Sequence, residues 1–330
     1  MQILEEKLRA PELRVSDWLN SPPLTMAGLR GRVVLIDFWD ATCINCLHTL
    51  PYLKEWHARY AEAGLTVIGI HAPEFAFSRD AKVVETALQR FNLTYPVALD
   101  NEFRTWNAFA NRAWPTKYLV DTHGYIRACH RGEGEYQAFE RAIQDLLHEA
   151  DPAQRLPEPI APIRDIDRPG AACYRATPEL YLGYGRGVLA NPESPLPEHV
   201  VDYAPLSDPQ PSDSVALTGA WLNTKEFVES ASDRPVSIHV NYRAAGVNLV
   251  MAPGADGPVT VRLLLDDEPL PEDLRGEDTA LLDGWPVTVV DSPRMYALVR
   301  HPDFAVHRLT LAVSAPGLRA YAFTFITCVA

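Results

Sequence analysis

The chain has 330 residues, 47% of them hydrophobic, and a formal net charge of −13 at pH 7. This length suits two ordinary domains better than one. The acidic balance disfavours nucleic acid and anionic membrane surfaces as partners, and no apolar run is long enough to cross a bilayer. The first thirty residues carry charges throughout and lack the apolar core of a signal peptide, so the sequence as written predicts a cytoplasmic protein.

The first forty residues end in a predicted buried strand. Residues 1–20 read as a polar lead and a short strand or hairpin, followed by turn residues at 21–23. Residues 33–39 form an apolar run rich in β-branched side chains, which predicts a buried strand. The run breaks at residues 40–42, and apolar side chains then recur at three- and four-residue steps, as in an amphipathic helix: Leu47, Leu50, Leu53, Trp56 and Tyr60.

The pair Cys43-x-x-Cys46 lies where this strand gives way to the helix. Unpaired backbone N–H groups and the helix dipole stabilise an anion there, and such positions lower a thiol pKa from about 8.5 to about 3.5–7.5. Cys43 is therefore predicted to be the nucleophile and Cys46 the residue that resolves a mixed disulfide. A zinc site would need four ligands. It is disfavoured because the sequence has no second C-x-x-C, and His48 and His57 are nine residues apart.

Asp37 interrupts the apolar run six residues before Cys43. Burial of an unpartnered carboxylate is expensive. One interpretation places Asp37 on a solvated edge through an error in the predicted register. The interpretation we favour makes it a buried base with a raised pKa that exchanges a proton with Cys46.

The next elements alternate between strands and helices. Residues 65–71 predict a second buried strand, which ends before Pro73 and Glu74. Helical spacing covers residues 80–91, with Asp80 near the N-cap, and also residues 103–110 and 136–147. Shorter strands are predicted at 95–99, 117–120 and 125–129.

Residues 1–150 are thus predicted to form one domain, and residues 151–172 a proline-rich linker. Five prolines exclude a continuous helix or central strand in the linker. Its apolar residues, Leu156, Ile160, Ile163 and Ile166, predict that it packs on both domains rather than acting as a loose tether.

Residues 173–330 predict an antiparallel β-sandwich, because short β-prone segments alternate with turn signals. The predicted strands are residues 215–221, 236–242, 247–251, 259–265, 285–290, 295–299, 308–313 and 320–326. Four aromatic residues form a candidate ligand platform in this domain, although core packing is the favoured interpretation for them: Tyr181, Tyr184, Trp221 and Trp285. For Cys129, Cys173 and Cys328 the default expectation is a small buried hydrophobic side chain.

Several motifs carry a family resemblance. Asp37-Phe38-Trp39, the C-x-x-C pair and Pro51 resemble the thioredoxin superfamily, and the segment 30–34 is similar to its TlpA-like branch. The thioredoxin-like domain of DipZ-type proteins is similar to this chain in residues 43–46, 71–77, 114–121 and 132–136. The C-terminal domain of DipZ-type proteins is similar to it in residues 177–184 and 319–325.

The resemblance implies a fold and a location. It implies an α/β thioredoxin-like domain, with a central mixed sheet flanked by helices and a TlpA-type strand-and-helix insert. An all-β, jelly-roll-like domain similar to carbohydrate-binding modules would follow. DipZ-type proteins carry a membrane portion before these domains and work outside the cytoplasm, so the resemblance implies an extracytoplasmic location for this segment, in contrast to the sequence as written.

The resemblance also implies roles for residues near the thiols. Pro115 corresponds to the cis-proline of the superfamily, whose backbone edge can pair with an extended peptide. Glu74 is a candidate proton relay, with a solvated loop residue as the alternative. The predicted substrate groove comprises Trp39, Ile44, Asn45, Trp114 and Thr116. Trp114 is equally well explained as a core aromatic.

The sequence therefore predicts a thiol–disulfide oxidoreductase that acts on protein or peptide partners and needs no cofactor beyond its Cys43–Cys46 disulfide. A peroxidase fits poorly, because it would use a lone peroxidatic cysteine rather than a C-x-x-C pair. The alternative from another class is a glycan- or protein-binding module, with carbohydrate as a candidate ligand of the sandwich and the thiol pair as a redox sensor.

Overall fold

The computed structural model describes residues 1–207 and 209–329, without the side chains of residues 2–7. The chain divides into two compact units, Met1–Asp167 and Arg168–Ala330. Residues 151–167 of the predicted linker therefore belong to the first unit. Within the part of the chain that the structure describes, no helix has both the length and the apolar character needed to cross a bilayer.

The first unit contains seven named strands and four α-helices among its described residues. In chain order they are β1 (Gln2–Arg9), β2 (Asp17–Leu19), β3 (Val33–Trp39), α1 (Ile44–Tyr60), β4 (Leu65–His71), α2 (Ala81–Phe91), β5 (Val97–Leu99), α3 (Arg104–Ala108), β6 (Thr116–Val120), β7 (Tyr125–Arg131) and α4 (Tyr136–Ala150).

The strands form one mixed sheet in the order β1-β7-β6-β3-β4-β5-β2. The central strand β3 runs parallel to β4 and antiparallel to β6. Because side chains alternate along a strand, Leu35 and Trp39 pack in one core with residues of α1 and α4, whereas Ile36 and Phe38 pack in a second core on the other face. The predicted thioredoxin-like architecture is confirmed, including the inserted block from α2 to α3.

The strap, which we define as residues 156–167, packs on the first unit. Leu156 and Ile160 lie against the core formed by α1 and α4. The fully buried carboxylate of Glu140 accepts hydrogen bonds from the Ile160 N–H at 3.0 Å and from the Tyr60 hydroxyl at 2.6 Å. The strap is thus fixed to the helices by burial of its apolar side chains and by a buried polar anchor.

The second unit is built from β-strands. They are β8 (Ala172–Cys173), β9 (Leu180–Tyr181), β10 (Val200–Tyr203), β11 (Ser214–Asn223), β12 (Val228–Ser230), β13 (Val236–Pro253), β14 (Val259–Leu265), β15 (Glu268–Pro269), β16 (Ala280–Leu282), β17 (Trp285–Val290), β18 (Arg294–Val313), β19 (Leu318–Ile326) and β20 (Cys328–Val329). The main sheet follows the order β10-β11-β12-β19-β13-β18-β14-β17-β16. The predicted all-β domain is therefore confirmed.

Two pairs of predicted strands are in fact continuous. Residues 236–242 and 247–251 belong to the single 18-residue strand β13, and residues 295–299 and 308–313 to the 20-residue strand β18. The register of the antiparallel pairing between β13 and β18 shifts between Ala244 and Gly246, as at a β-bulge. A Cβ atom at Gly246 would lie 2.9 Å from the Val299 carbonyl oxygen, so a glycine at this position permits close strand packing.

A disulfide joins Cys173 to Cys328, which are paired on the short strands β8 and β20. Cys173 is exposed. This corrects the expectation that both residues are small buried hydrophobic side chains. Cys129 is buried and free, in agreement with that expectation.

Candidate active site

Cys43 and Cys46 occupy the start of α1 and form a disulfide with a Cα–Cα distance of 5.2 Å. Cys43 is the N-cap residue, and its Sγ accepts a hydrogen bond from the Cys46 N–H at 3.2 Å. Cys43 is half-buried, whereas Cys46 is completely inaccessible to solvent. A partner can therefore approach the sulfur of Cys43 but not that of Cys46.

Asp37 lies on the central strand and is 1% exposed. Neither carboxylate oxygen has a hydrogen-bond partner among the described residues. Burial raises the pKa of Asp37 to about 7, against the opposing attraction of Lys117. The solvated-edge interpretation of Asp37 is therefore wrong, because the residue sits between β4 and β6. Its side chain shares a strand face with Leu35 and Trp39 and so points to the core that contains Cys46.

Lys117 was not identified from the sequence. It lies directly opposite Asp37 in the antiparallel pairing of β3 and β6 and is fully buried. Burial lowers the pKa of Lys117 to about 8, while the charges of Asp37 and Glu133 act in the opposite direction. Its Nζ donates a hydrogen bond to the Gly132 carbonyl at 3.2 Å. The available signal was the position of Lys117 two residues before Leu119 on a predicted strand, which places both on one face.

Apolar and aromatic groups keep water away from the Asp37–Lys117 pair. Gly69 lies opposite Asp37 on β4, and a Cβ atom there would come within 2.9 Å of Trp39 Nε1. The Trp39 Nε1 and the Tyr95 hydroxyl are buried and lack hydrogen-bond partners among the described residues. Burial and the charge of Asp37 raise the pKa of Tyr95 well above its usual value. Trp39 is fully buried, so the prediction that its side chain lines the substrate groove is wrong.

A second buried pair of an acidic and a basic residue lies beside the segment that leads into Cys43. His71 Nε2 lies 3.5 Å from Asp40 Oδ2, and both side chains are fully buried. His71 Nε2 accepts a hydrogen bond from the Ala41 N–H at 3.3 Å, and Asp40 accepts hydrogen bonds from the Thr42 N–H at 2.7 Å and the Glu74 N–H at 3.0 Å. Burial lowers the pKa of His71, against the opposing attraction of Asp40. This network fixes the loop that carries Cys43, and it places Glu74, which is half-buried, beside that loop.

The peptide bond between Trp114 and Pro115 is cis. The indole N–H of Trp114 donates to the Ala72 carbonyl at 3.0 Å, and its ring lies 4.4 Å from that of Trp106. Thr116 is fully buried and donates its hydroxyl to the Ala113 carbonyl at 2.8 Å. Its side chain therefore cannot line a groove, contrary to the prediction.

Of the remaining predicted groove residues, Asn45 is exposed, and Ile44 and Trp114 are half-buried.

The four aromatic residues of the proposed ligand platform do not form one surface. Trp221 is fully buried and donates its indole N–H to the Thr218 carbonyl at 3.1 Å. Tyr181 lies on β9, which pairs with β19, whereas Trp285 lies on β17, several strands away in the main sheet. For Trp221 the favoured core-packing interpretation is confirmed and the platform role is excluded, because a buried ring cannot meet a ligand. Tyr184 is half-buried, and its hydroxyl donates to Glu198 at 3.1 Å.

Across residues 1–207 and 209–329, no group of three or more His, Cys, Asp or Glu side chains is arranged to hold a metal ion.

Comparisons with known proteins agree with this site. Residues 8–129 match the AhpC/TSA family, and residues 177–325 match the family described as the thioredoxin like C-terminal domain. Protein DipZ of Mycobacterium bovis and of Mycobacterium tuberculosis are each 34% identical to the chain over 331 residues. These alignments cover 98% of the chain but 43% of each relative, so the chain spans less than half the length of these relatives.

Shorter matches cover the first unit. The thiol-disulfide oxidoreductase ResA of Geobacillus kaustophilus is 26% identical over 137 residues, which cover 42% of the chain and 75% of ResA. A solved thioredoxin-like superfamily protein is 28% identical, with a TM-score of 0.41 over 46% of the chain and 99% of its own. The two halves of the chain are thus similar to two different families, and the Cys43–Cys46 disulfide at the start of α1 lies within the residues that match the AhpC/TSA family and within a first unit that is similar to the thiol-disulfide oxidoreductase ResA.

Proposed function

We propose that this chain exchanges its Cys43–Cys46 pair with thiols or disulfides of protein or peptide partners. The observation that carries the proposal is the contrast between Cys43, which is half-buried at a helix N-terminus, and Cys46, which is inaccessible to solvent. Cys43 can therefore react with a thiol or disulfide of a partner, whereas Cys46 can react only with Cys43.

The first step uses the thiolate of Cys43 in the reduced protein. The N-terminus of α1 stabilises the anion. Cys43 Sγ forms a bond to one sulfur of the partner disulfide, the partner's S–S bond breaks, and the other partner sulfur leaves as a thiolate that takes a proton from water.

The second step uses Cys46 and Asp37. The Cys46 thiol gives its proton to the Asp37 carboxylate, and the sulfur attacks Cys43 Sγ. The Cys43–Cys46 bond forms, the bond between Cys43 and the partner breaks, and the partner leaves with its second sulfur reduced. Two electrons have then passed from the protein dithiol to the partner disulfide; the second partner sulfur has left as a thiolate that takes a proton from water, and Asp37 holds the proton that Cys46 gave up. The reverse sequence oxidises a partner dithiol.

In this scheme Lys117 lowers the pKa of the base, Asp37. A carboxylate buried without a cation would hold its proton well above neutral pH. The ammonium of Lys117 opposes that shift, so that the pKa of Asp37 is about 7. At neutral pH a substantial fraction of Asp37 is then ionised and can accept the proton of Cys46.

The surroundings of Cys43 supply the partner surface. Asn45, Ile44 and Trp114 are the accessible or half-buried side chains of the proposed groove. The backbone of Pro115 supplies an edge that pairs with an extended peptide. Glu74 is a proton relay beside the loop that contains Asp40 and leads into Cys43. The exposed Cys173–Cys328 disulfide supports an oxidising, extracytoplasmic compartment, because such bonds are rarely kept in the cytosol. A glycan ligand of the second unit has less support, since Trp221 is buried and Arg186 covers the ring of Tyr181 at 3.8 Å.

Trapping of a mixed disulfide tests the proposed function. The Cys46→Ser variant should accumulate a covalent adduct between Cys43 and an oxidised peptide, because the residue that would release the peptide is gone. The adduct is measured by mass spectrometry and should disappear on treatment with a reductant.

The matched control is Cys43→Ser, which should form no adduct because Cys46 is inaccessible. Equal trapping by both variants, or no trapping by Cys46→Ser, would contradict the assigned roles.

A further inference from the structure

Arg164 belongs to the strap rather than to the sheet or helices of the thioredoxin-like fold, yet its side chain is only 18% exposed. Its Nε and Nη2 donate to the two carboxylate oxygens of Asp167 at 2.7 and 2.6 Å. The same Nη2 donates to Glu133 Oε2 at 3.1 Å. This fork holds the guanidinium in one orientation, as expected for a bidentate Arg–carboxylate pair.

The strap carries Arg164 to this place through contacts with α1. The hydroxyl of Tyr52 accepts a hydrogen bond from the Ile163 N–H at 2.9 Å and donates to Asp167 at 2.7 Å. Tyr52 also stacks on Tyr136, with ring centroids 3.6 Å apart. The residues on both sides of Arg164 are therefore anchored to the helix that carries the thiols.

Glu133 connects Arg164 to the active site. Its Oε2 lies 2.9 Å from Nδ1 of His48, which follows Cys46 by two residues on α1. The preceding residue, Gly132, accepts the hydrogen bond from the buried Lys117 ammonium. The short loop that contains Glu133 thus touches both the helix that carries the thiols and the cation beside Asp37.

The charge of each residue in this group affects the protonation of the next, from Arg164 through Glu133 and Lys117 to Asp37. Burial would raise the pKa of Glu133, but His48 and Arg164 together outweigh it and lower that pKa below its usual value. Glu133 is therefore an anion at neutral pH. Its charge helps to keep Lys117 protonated against burial, and the charge of Lys117 favours the ionised form of Asp37.

We propose that Arg164 is a positioning residue for the thiol chemistry: it holds the anionic Glu133 against His48 and Lys117, and so keeps Lys117 charged beside Asp37. The proposal rests on the proposed function, since Asp37 matters here only as the base for Cys46. The other titratable groups that face this cluster are His130 of β7, which contacts the Glu133 carbonyl at 3.1 Å, Cys129 of β7 beside Lys117, Tyr95 beside Asp37, Glu135 of the same loop, and Tyr136 and Asp167 beside Arg164.

The test follows release of a peptide from its mixed disulfide with Cys43 in the full chain, as a function of pH. Arg164→Gln removes the cation that faces Glu133. Lys117 should then lose its proton more readily, Asp37 should ionise at higher pH, and the midpoint of the release profile should rise by at least a few tenths of a pH unit. Arg164→Lys should restore most of the parent midpoint, because it keeps the charge.

Arg155→Gln is the matched control. It removes the same charge from an exposed arginine of residues 151–167, and its midpoint should equal that of the parent. If Arg164→Gln does not fold, Glu133→Gln takes its place and should raise the midpoint in the same direction.

A midpoint for Arg164→Gln equal to that of Arg155→Gln would overturn the proposal for Arg164 while leaving the thiol exchange intact. Failure of the proposed function is distinguishable, because release in the parent would then not depend on Cys46 at all.

Discussion

Replacement of Asp37 by Asn is expected to slow the release of a partner from Cys43 by about a hundredfold at neutral pH, because general-base catalysis contributes at least that factor in enzymes. In the parent, release should accelerate as pH rises through about 7, where Asp37 loses its proton. In Asp37→Asn this limb of the profile should vanish, and release should depend only on the ionisation of Cys46 itself. Stopped-flow measurement of peptide release from preformed mixed disulfide, across this pH range, provides the test.

Lys117→Met should shift the pH at which release accelerates, whereas Asp37→Asn should abolish the acceleration. Without the ammonium, the pKa of Asp37 is no longer held down to about 7, so the midpoint should move to higher pH. Release at neutral pH should therefore fall, and recover in more alkaline solution. Profiles of Asp37→Asn and Lys117→Met that coincide with the parent's would show that the buried pair has no part in proton transfer.

Stability measurements separate this chemistry from folding. The pKa of Asp37 is about 7 in the folded chain against an ordinary value of 3.8, so the unfolded chain releases its proton first and stability should fall as pH rises between these values. The pKa of Lys117 is about 8 in the folded chain against 10.5, so its contribution to stability should increase as pH rises between those values.

Removing one member of a buried ion pair typically costs about 3–5 kcal/mol, whereas replacing both is often neutral or stabilising. The double variant Asp37→Asn/Lys117→Met should thus be at least as stable as either single variant, yet as slow as Asp37→Asn. A double variant that is less stable than both single variants would contradict this account.

Removal of the second disulfide is expected to destabilise the second unit strongly. Cys173 and Cys328 are 155 residues apart in the sequence. Opening a loop of this size should lower the free energy of unfolding by about 5 kcal/mol on the chain-entropy account. The ends of the unit would then be joined by the β8–β20 pairing and by local contacts such as the 2.9 Å hydrogen bond from the Tyr174 N–H to the Thr327 carbonyl.

The measurement is denaturant unfolding of Cys173→Ser/Cys328→Ser without reductant, monitored by the fluorescence of the second unit. Cys129→Ser is the matched control, since Cys129 is buried and free in the first unit, and it should leave that transition unchanged. An equal midpoint for the parent and the double variant would show that the bond does not stabilise the unit.

Short-range patterns predicted much of this protein. Because apolar periodicity and β-branched runs report which face of an element is buried, strands 259–265 and 285–290 were predicted with the bounds that the structure shows for β14 and β17. Asp80 caps α2 through its hydrogen bond from the Lys82 N–H, as local capping chemistry predicts. Cys43 at the start of α1 follows from a strand-to-helix transition that a dozen residues define.

Tertiary structure decided what depends on residues distant in the sequence. The register between β3 and β6 pairs Asp37 with Lys117, and this register comes from packing of the whole sheet, not from either strand alone. The bulge at Gly246 and the Cys173–Cys328 bond likewise need the partner strand to be in place. The strap brings Arg164 to Glu133 because its neighbours bind Tyr52. Composition predicted that this segment is rigid and apolar, but only its contacts show that it reaches the charged groups beside the thiols.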